Sequence, residues 1–334
     1  MATMLDVARA AGVSTTTVSH VLNGTRTVSD ATVARVRAAI EQTGYSHNTL
    51  ARALARGGRT QSLGLAISGL SNPYFGTVLA AVEEEATRAG HTLLLGETRD
   101  DPEDELRIVR ALAERRVDGL LLAPSAGAIE GALPYLATQE IPVVLLDRFA
   151  DVPLDQIGAE NVEPTAGLVD HLARCGHRRI GMVVGLSGLS TTTERIEGYR
   201  LGLARNGLPF DDALVLGGHS QRAAAATAAA SLMDLAEPPT ALISGNNAMT
   251  IGVMQAIADR GLRVPDDVAL VAFDDFEWAD VFSPRLTVVA QPTDELGRRA
   301  VGLLLSRLED PEQPPRTVRL PATFVHRDSC GCRR

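Results

Sequence analysis

From Ser62 onward, short apolar runs alternate with longer amphipathic ones, and the alternation goes round twice. Ser62–Ile67, His91–Leu95, Gly119–Leu122 and Val143–Leu146 are strand-sized, and helix-sized stretches lie between them over 75–89, 103–116 and 128–139. The order resumes after Arg179 with GMVVG, a helical stretch over 193–206, LVLG, 221–235, ALIS, 247–260 and VALVAF. Strands alternating with helices of this length fold as parallel sheets joined by right-handed crossovers. About 270 residues is more than one such core holds, so two α/β lobes are expected. Sheets of this type take ligands at the carboxyl ends of their strands. Two lobes face to face leave a cleft that can close on a small molecule.

The first sixty residues have a different period. Thr3 and Asp6 form a capping box at the start of a helix, with Leu5, Val7 and Ala8 as its apolar stripe. Gly12 suits the turn that follows, and Ser14 suits the N-cap of a second helix. Val13, Val18, Val21 and Leu22 face inward at helical spacing, which leaves Thr15, Thr16, Ser19 and His20 facing out. Ser29 starts a third helix with Val33, Val36 and Ile40 buried, and Gly44 ends it. Two short helices around a tight turn, the second rich in small polar side chains, have the layout of a helix-turn-helix. Charge agrees. Residues 1–59 carry seven arginines against three acids, a net +4; the whole chain is −9, so the remainder carries −13. A basic tip on an acidic body directs the tip to DNA phosphates.

Residues 3–56, with DVARAAGVS, TVSHVLN and GYSHNTLARAL, resemble the headpiece of the lactose/galactose repressor (LacI/GalR) family. The resemblance extends through VDGLLLAP (117–124), IPVVLLDR (141–148), GHRRIGMV (176–183), ERIEGYR (194–200), GLRVPDDVALVAFDD (261–275) and LTVVAQP (286–292). It implies a two-lobed core like that of periplasmic sugar-binding proteins, whose last segment crosses back to the first lobe. The expected division is a headpiece over 1–47, a hinge over 48–59, an N-terminal lobe over 60–158 plus 290–319, and a C-terminal lobe over 159–289 plus 320–334. The resemblance also implies that Thr15, Thr16 and His20 face base edges in the major groove, with Arg26 nearby. In the hinge, paired short helices would enter the minor groove and Leu54 would wedge into the central base step. Ala55 stands where members of the family often carry Lys.

Candidate effector contacts lie at strand ends. Tyr74 and Phe75 open the helix after the first strand, Arg148 ends VVLLDR, His219 follows LVLGG, Asn247 opens the helix after ALISG, and Asp274 closes VALVAFD. Thr191 and Arg195 stand where the family carries effector-contacting residues. A guanidinium beside a carboxylate, Arg195 with Asp274, would suit vicinal hydroxyls. The expected function is a transcriptional regulator, a repressor, acting as a homodimer on a palindromic double-stranded operator. Its small-molecule effector is expected to be a sugar, with a nucleobase or nucleoside as runner-up. Asn247 replaces the Asp that many members carry, which bears on the effector class.

Several classes are disfavoured by what is missing. All 32 basic residues are arginine, which excludes a Walker-type lysine, a Schiff base and a pyridoxal enzyme. GxSxG and GxGxxG do not occur, so neither a catalytic residue nor a cofactor is expected. A sugar-processing enzyme with an accessory DNA-binding module is the rival. The only adjacent carboxylate pair expected at its cleft, Asp274 and Asp275, would point to opposite strand faces. His171 and Cys175 share a helix face near His177, but no further ligand is in view, so no metal is expected. The three cysteines suit a reducing cytoplasm, and no disulfide is expected. No apolar run reaches the ~20 residues of a membrane span.

Overall fold

The first helix begins where two side chains trade hydrogen bonds with the backbone. The Asp6 N–H donates to Thr3 Oγ1 at 3.3 Å, and the Thr3 N–H donates to Asp6 Oδ2 at 2.8 Å. This exchange holds the Asp6 carboxyl below its ordinary pKa. The computed structural model describes residues 2–23, 26–45 and 59–332 and divides the chain into two compact units, Met1–Thr60 and Gln61–Arg334.

The first unit holds α1 (Met4–Ala11), α2 (Thr15–Asn23) and α3 (Asp30–Thr43). Gly12 and Gly44 close α1 and α3 at φ 63°, a left-handed conformation that glycine adopts without cost. Ser14 caps α2, accepting from the Thr17 N–H at 3.1 Å. Ser29 occupies the N-cap of α3 but binds the Thr32 hydroxyl instead of a backbone N–H. Val7, Ala8, Ala11, Val18, Val36 and Ala39 are buried together. Leu5 is 56% exposed, so the expected Leu5–Val7–Ala8 stripe is shifted: Ala11, a helical turn beyond Val7, takes the inward place instead.

The second unit contains two six-stranded sheets. The first runs β11 (Thr317–Leu320), β5 (Asp155–Ala159), β4 (Val143–Leu146), β3 (Gly119–Leu122), β1 (Ser62–Ile67), β2 (Thr92–Glu97). The second runs β12 (Thr323–Val325), β10 (Thr287–Ala290), β9 (Ala269–Phe273), β8 (Ala241–Ser244), β6 (Ile180–Val184), β7 (Val215–Gly217). All pairings are parallel except β10 with β12. Helices α4 (Pro73–Arg88), α5 (Pro102–Glu114) and α6 (Ala132–Thr138) belong to the first sheet; α7 (Val162–Arg174), α8 (Ser190–Arg205), α9 (Arg222–Met233) and α10 (Asn247–Asp259) belong to the second. The chain passes between the lobes three times, after β5, after β10 and after β11, and α11 (Thr293–Glu309) returns to pack on α4.

β5 reads DQIGA, too polar for a buried strand, yet every residue in it is buried. Its charge is answered locally. Arg307 Nε donates to Asp155 Oδ2 at 2.9 Å and the Arg316 N–H donates to Asp155 Oδ1 at 2.8 Å. Gln156 exchanges hydrogen bonds with Ala150. A buried carboxylate held by two arginine contacts is tolerated where an unpaired one is not.

The cysteines depart from expectation. Cys175, which ends α7, and Cys332 in the tail are joined as a disulfide, and Cys330 is a buried free thiol. Sequence spacing could not reveal this pair, because 157 residues separate its members and only the return of the tail under the second sheet brings them together.

Candidate functional site

On the first unit, α2 exposes Thr15 and Thr16 to solvent, His20 is half-buried one turn further on, and Arg26 is exposed after the helix. Val18 is buried on the opposite face and anchors α2 to the three-helix core. A short helix fixed by one apolar face, with small hydroxyls outward, has the shape to enter a major groove. Leu54 and the rest of the expected hinge helix lie outside the described residues.

In the second unit a polar cavity lies between the sheets, lined by the ends of β1, β4, β6, β8 and β9 and the segments after them. Two aspartates hold equivalent places in it. Asp147 follows β4 and its N–H donates to Ile157 O on β5 at 2.8 Å; Asp274 follows β9 and its N–H donates to Val289 O on β10 at 2.9 Å. Both adopt left-handed backbone, φ 71° and 73°. Asp and Asn tolerate that conformation better than other side chains.

A chain of hydrogen bonds spans the space between the two carboxylates. The Tyr74 hydroxyl donates to Asp147 Oδ1 at 2.5 Å and lies 3.4 Å from Gln291 Oε1; Gln291 Nε2 donates to Asp274 Oδ1 at 2.6 Å. Burial pushes both carboxyls above their ordinary pKa of 3.8, against the pull of Arg148 and Tyr74 on Asp147 and of Arg195 and Gln291 on Asp274. Burial and the adjacent Asp147 raise the Tyr74 hydroxyl well above 10, so it stays a proton donor.

Six of the eight expected contacts line this cavity: Tyr74, Phe75, Arg148, Thr191, Arg195 and Asp274. Arg195 does not pair with Asp274. Its Nε donates to Asn161 Oδ1 at 2.9 Å, its Nη1 donates to Gly245 O, and its guanidinium lies 3.7 Å from the centre of the Phe273 ring. Arg148 donates to Asp100 Oδ1 at 2.5 Å and to Pro124 O at 3.1 Å. His219 and Asn247 fall outside the lining. His219 is exposed at φ 51°, and its neighbour Ser220 lines the cavity in its place. The Asn247 side chain points into the protein with both polar atoms unpartnered, its backbone N–H supports Asp274, and Asn246 takes the lining position while capping α10. In both cases the turn places the adjacent residue toward the cleft. Asp147 and Gln291 were missing from the expected set. Aligning VVLLD with VALVAFD would have found the first, since each ends the fourth strand of its lobe.

The central cavity is only about 40 Å³, room for water and far below the several hundred cubic ångströms of a metabolite site. It widens on both sides. One mouth of about 540 Å³ shares Arg148 and Leu189 with it; the other, about 400 Å³, shares Tyr74, Asp274 and Gln291. Asp275, beside Asp274, turns to Arg327, which donates to both its oxygens at 3.0 and 2.9 Å. The adjacent carboxylates therefore serve different neighbours.

Residues 3–48 match the family of bacterial regulatory proteins, lacI family, and residues 169–330 match the periplasmic binding protein-like domain. The HTH-type transcriptional repressor PurR of Photobacterium profundum is 35% identical over 331 residues, 98% of each chain. The PurR repressor of Haemophilus influenzae (strain PittEE) is 35% identical over 308 residues, 92% of this chain and 91% of that one. Among solved structures, the lac repressor dimer bound to operator and the anti-inducer ONPF has a TM-score of 0.87 at 28% identity, covering 98% of this chain and 99% of that one. The regulator CelR in complex with cellobiose has a TM-score of 0.74 at 29% identity, covering 98% and 100%. With a helix-turn-helix at its head and a two-lobed core around a polar cleft, the chain belongs to the lacI family of bacterial regulatory proteins and is a DNA-binding transcriptional regulator.

Proposed function

We propose that the chain is a repressor that binds a palindromic operator as a homodimer and is switched by a sugar bound between its lobes. The observation that carries the sugar is the pair of buried carboxylates, Asp147 and Asp274, each accepting a side-chain hydrogen bond from a neutral donor, Tyr74 or Gln291. A polyol brings hydroxyls that can replace those donors one for one, and Arg195 supplies a cation beside them. The tight central cavity then describes a cleft closed on itself, which a ligand enters by parting the Tyr74–Asp147 and Gln291–Asp274 bonds. A ligand favouring one lobe angle shifts the population of DNA-competent dimers.

On DNA, Thr15, Thr16 and His20 read base edges, Arg26 adds a contact nearby, and Leu54 wedges the central step. Effector contact is assigned to Tyr74, Phe75, Arg148, Thr191, Arg195 and Asp274, with Asp147 and Gln291 added. A protein that works on chromosomal DNA works in the cytoplasm, and among the described residues no helix is long and apolar enough to cross a membrane. A nucleobase is the second reading, because the Tyr74 and Phe75 rings, 5.1 Å apart edge to face, stand at the cavity and a planar ring could stack there.

The test has two stages. Selection of duplexes from a random library gives the operator; one palindrome with a central pyrimidine–purine step is expected, and half-sites without symmetry would refute the dimer. Sugars and nucleobases are then titrated onto the protein–operator complex, with release read by fluorescence anisotropy and binding by Trp278, the single tryptophan, 58% exposed beside Glu277, which lines the narrower mouth. Release by a sugar supports the reading, and response to a nucleobase alone replaces it with the second.

A further inference from the structure

Five sulfur and imidazole side chains meet in the C-terminal lobe. His171 and Cys175 stand at the end of α7, His326 follows β12, and Cys330 and Cys332 lie in the tail. Because α7 runs on into β6, this cluster sits by the amino ends of the strands, opposite the edge that lines the cleft. His171 Nε2 is 3.2 Å from Cys332 Sγ and 3.9 Å from Cys175 Sγ; His326 Nε2 is 3.3 Å from Cys330 Sγ. One ligand atom from each of His171, His326, Cys330 and Cys332 lies within 4.8 Å of all the others.

Two of those separations, His171–Cys332 at 3.2 Å and His326–Cys330 at 3.3 Å, are close to the edges of a zinc tetrahedron, and the other pairs, all within 4.8 Å, need to close by no more than about 1 Å. Bonds of about 2.3 Å to sulfur and 2.0–2.1 Å to nitrogen place neighbouring ligand atoms about 3.3–3.8 Å apart. The donor set is also the right one, since thiolate with imidazole selects zinc over magnesium or calcium. Two thiolates balance the charge of a divalent cation, so a partly buried site of this composition is neutral. The tail is held in place independently of any metal. Ser329 Oγ donates to Leu270 O at 2.6 Å, the Thr287 N–H donates to Ser329 Oγ at 2.8 Å, and the Leu270 N–H donates to Ser329 O at 2.9 Å. Cys330 is thus presented to the cluster by the sheet itself. His177, the third residue of the expected group, is not a member: its Nδ1 bonds the Thr240 hydroxyl at 2.9 Å.

We propose that the reduced chain binds one zinc ion through His171, His326, Cys330 and Cys332, a structural site that fastens the C-terminal tail to α7. Cys175 competes for one ligand: in the disulfide, Cys332 is committed to Cys175. A dithiol reductant opens that bond, taking up the disulfide itself and returning Cys175 and Cys332 as thiols. Zinc then displaces one proton each from Cys330 and Cys332. Four protein ligands close the coordination sphere, so the site stabilises and does no chemistry on a substrate.

The experiment uses the full chain, purified in dithiothreitol without chelator, with zinc measured by mass spectrometry. One zinc per chain is expected in the wild type and in Cys175→Ser, and none in Cys330→Ser. As His326 is exposed and its loss spares the core, His326→Ala serves where Cys330→Ser does not fold; it should lose zinc at least tenfold more readily and show no rise in Tm on adding zinc, whereas the wild type gains several degrees. Cobalt(II) in the wild type should give the intense visible bands of a tetrahedral site with thiolate-to-metal charge transfer. A reduced wild type free of zinc, a cobalt spectrum without thiolate bands, zinc retained by both Cys330→Ser and His326→Ala, or loss of zinc from Cys175→Ser would each overturn the assigned site.

Discussion

In the first lobe the residue after the left-handed aspartate is Arg148; in the second it is Asp275. The backbones leading to them agree. Each aspartate ends the third strand in its sheet's order, and each donates its N–H to the neighbouring strand. The following side chains then turn away to different partners, Arg148 to Asp100 and Pro124, Asp275 to Arg327 from the tail. The repeated architecture thus supplies two matched acceptors, Asp147 and Asp274, while the unmatched residues next to them are spent on holding each lobe. One cation at the cavity, Arg195, is fixed by neutral oxygens of Asn161 and Gly245 and by the Phe273 ring, with its charge still offered to both carboxylates.

If that asymmetry matters, Arg195→Ala should have the largest effect. It removes the cation and leaves Gly245 O and Asn161 Oδ1 without their donor. Effector affinity is expected to fall by more than 100-fold, about 3 kcal/mol, in the range for a hydrogen-bonded charge. Operator affinity without effector should stay within twofold. An unchanged dose response in an operator-release assay would take Arg195 out of the site.

Asp274→Asn and Asp147→Asn compare the two halves directly. Asn accepts left-handed backbone, so each change removes charge with little strain. Both should weaken effector binding, by roughly 10- to 100-fold for Asp274 and less for Asp147. The order follows from the cations: Arg195 acts first on Asp274, whereas Arg148, the first to act on Asp147, is already bound to Asp100. Equal losses by calorimetry would mean the ligand uses the symmetry and ignores the neighbours.

The same comparison shows how far the sequence could be read. Runs such as VVLL and ALIS are buried on both faces and need nothing but their own apolarity, so their limits coincide with the observed strands. β5 escaped because its burial depends on Arg307 and Arg316, about 150 and 160 positions away. β12 escaped because it is short and half exposed at a sheet edge. Four cavity residues, Tyr74, Phe75, Arg148 and Asp274, stood just after strands, where periodicity points; Thr191 and Arg195, on α8, were reached only through the family resemblance. Which of two adjacent residues faces the cleft, Ser220 or His219, Asn246 or Asn247, is decided by turn dihedrals that composition does not carry. The sulfur–imidazole cluster was half visible on α7, and the other half arrives only with the tail.

Tyr74→Phe tests the bridge between the halves. The hydroxyl is lost from Asp147, whose remaining charged contact is Arg148 Nε at 3.7 Å. A buried acceptor deprived of its donor costs about 1–3 kcal/mol, or a few degrees in Tm for a unit of this size. A sugar hydroxyl that takes the vacated place should restore part of this, so the ligand should raise Tm more in the variant than in the wild type. A smaller rise would place the ligand elsewhere.

The smallest effect expected is on pH. Burial holds Asp147 and Asp274 above 3.8 in the closed cleft, so the folded chain keeps their protons at pH values where the unfolded chain has lost them. The stability this lends is complete below 3.8 and is lost as pH rises through the raised values. Hydroxyl donors favour the carboxylates and draw those values down on binding. Ligand binding should therefore release protons between the bound and free values, and affinity should weaken as pH falls through that window, by up to tenfold for each unit of difference. Above the raised values it should be flat, since Tyr74 remains protonated there. Calorimetry in two buffers of different ionisation enthalpy measures the proton release, and Asp147→Asn should leave about half of it if the two lobes contribute alike. If Asp274→Asn alone abolishes it, the second lobe holds the titrating partner and the resemblance between the two aspartates ends at the backbone.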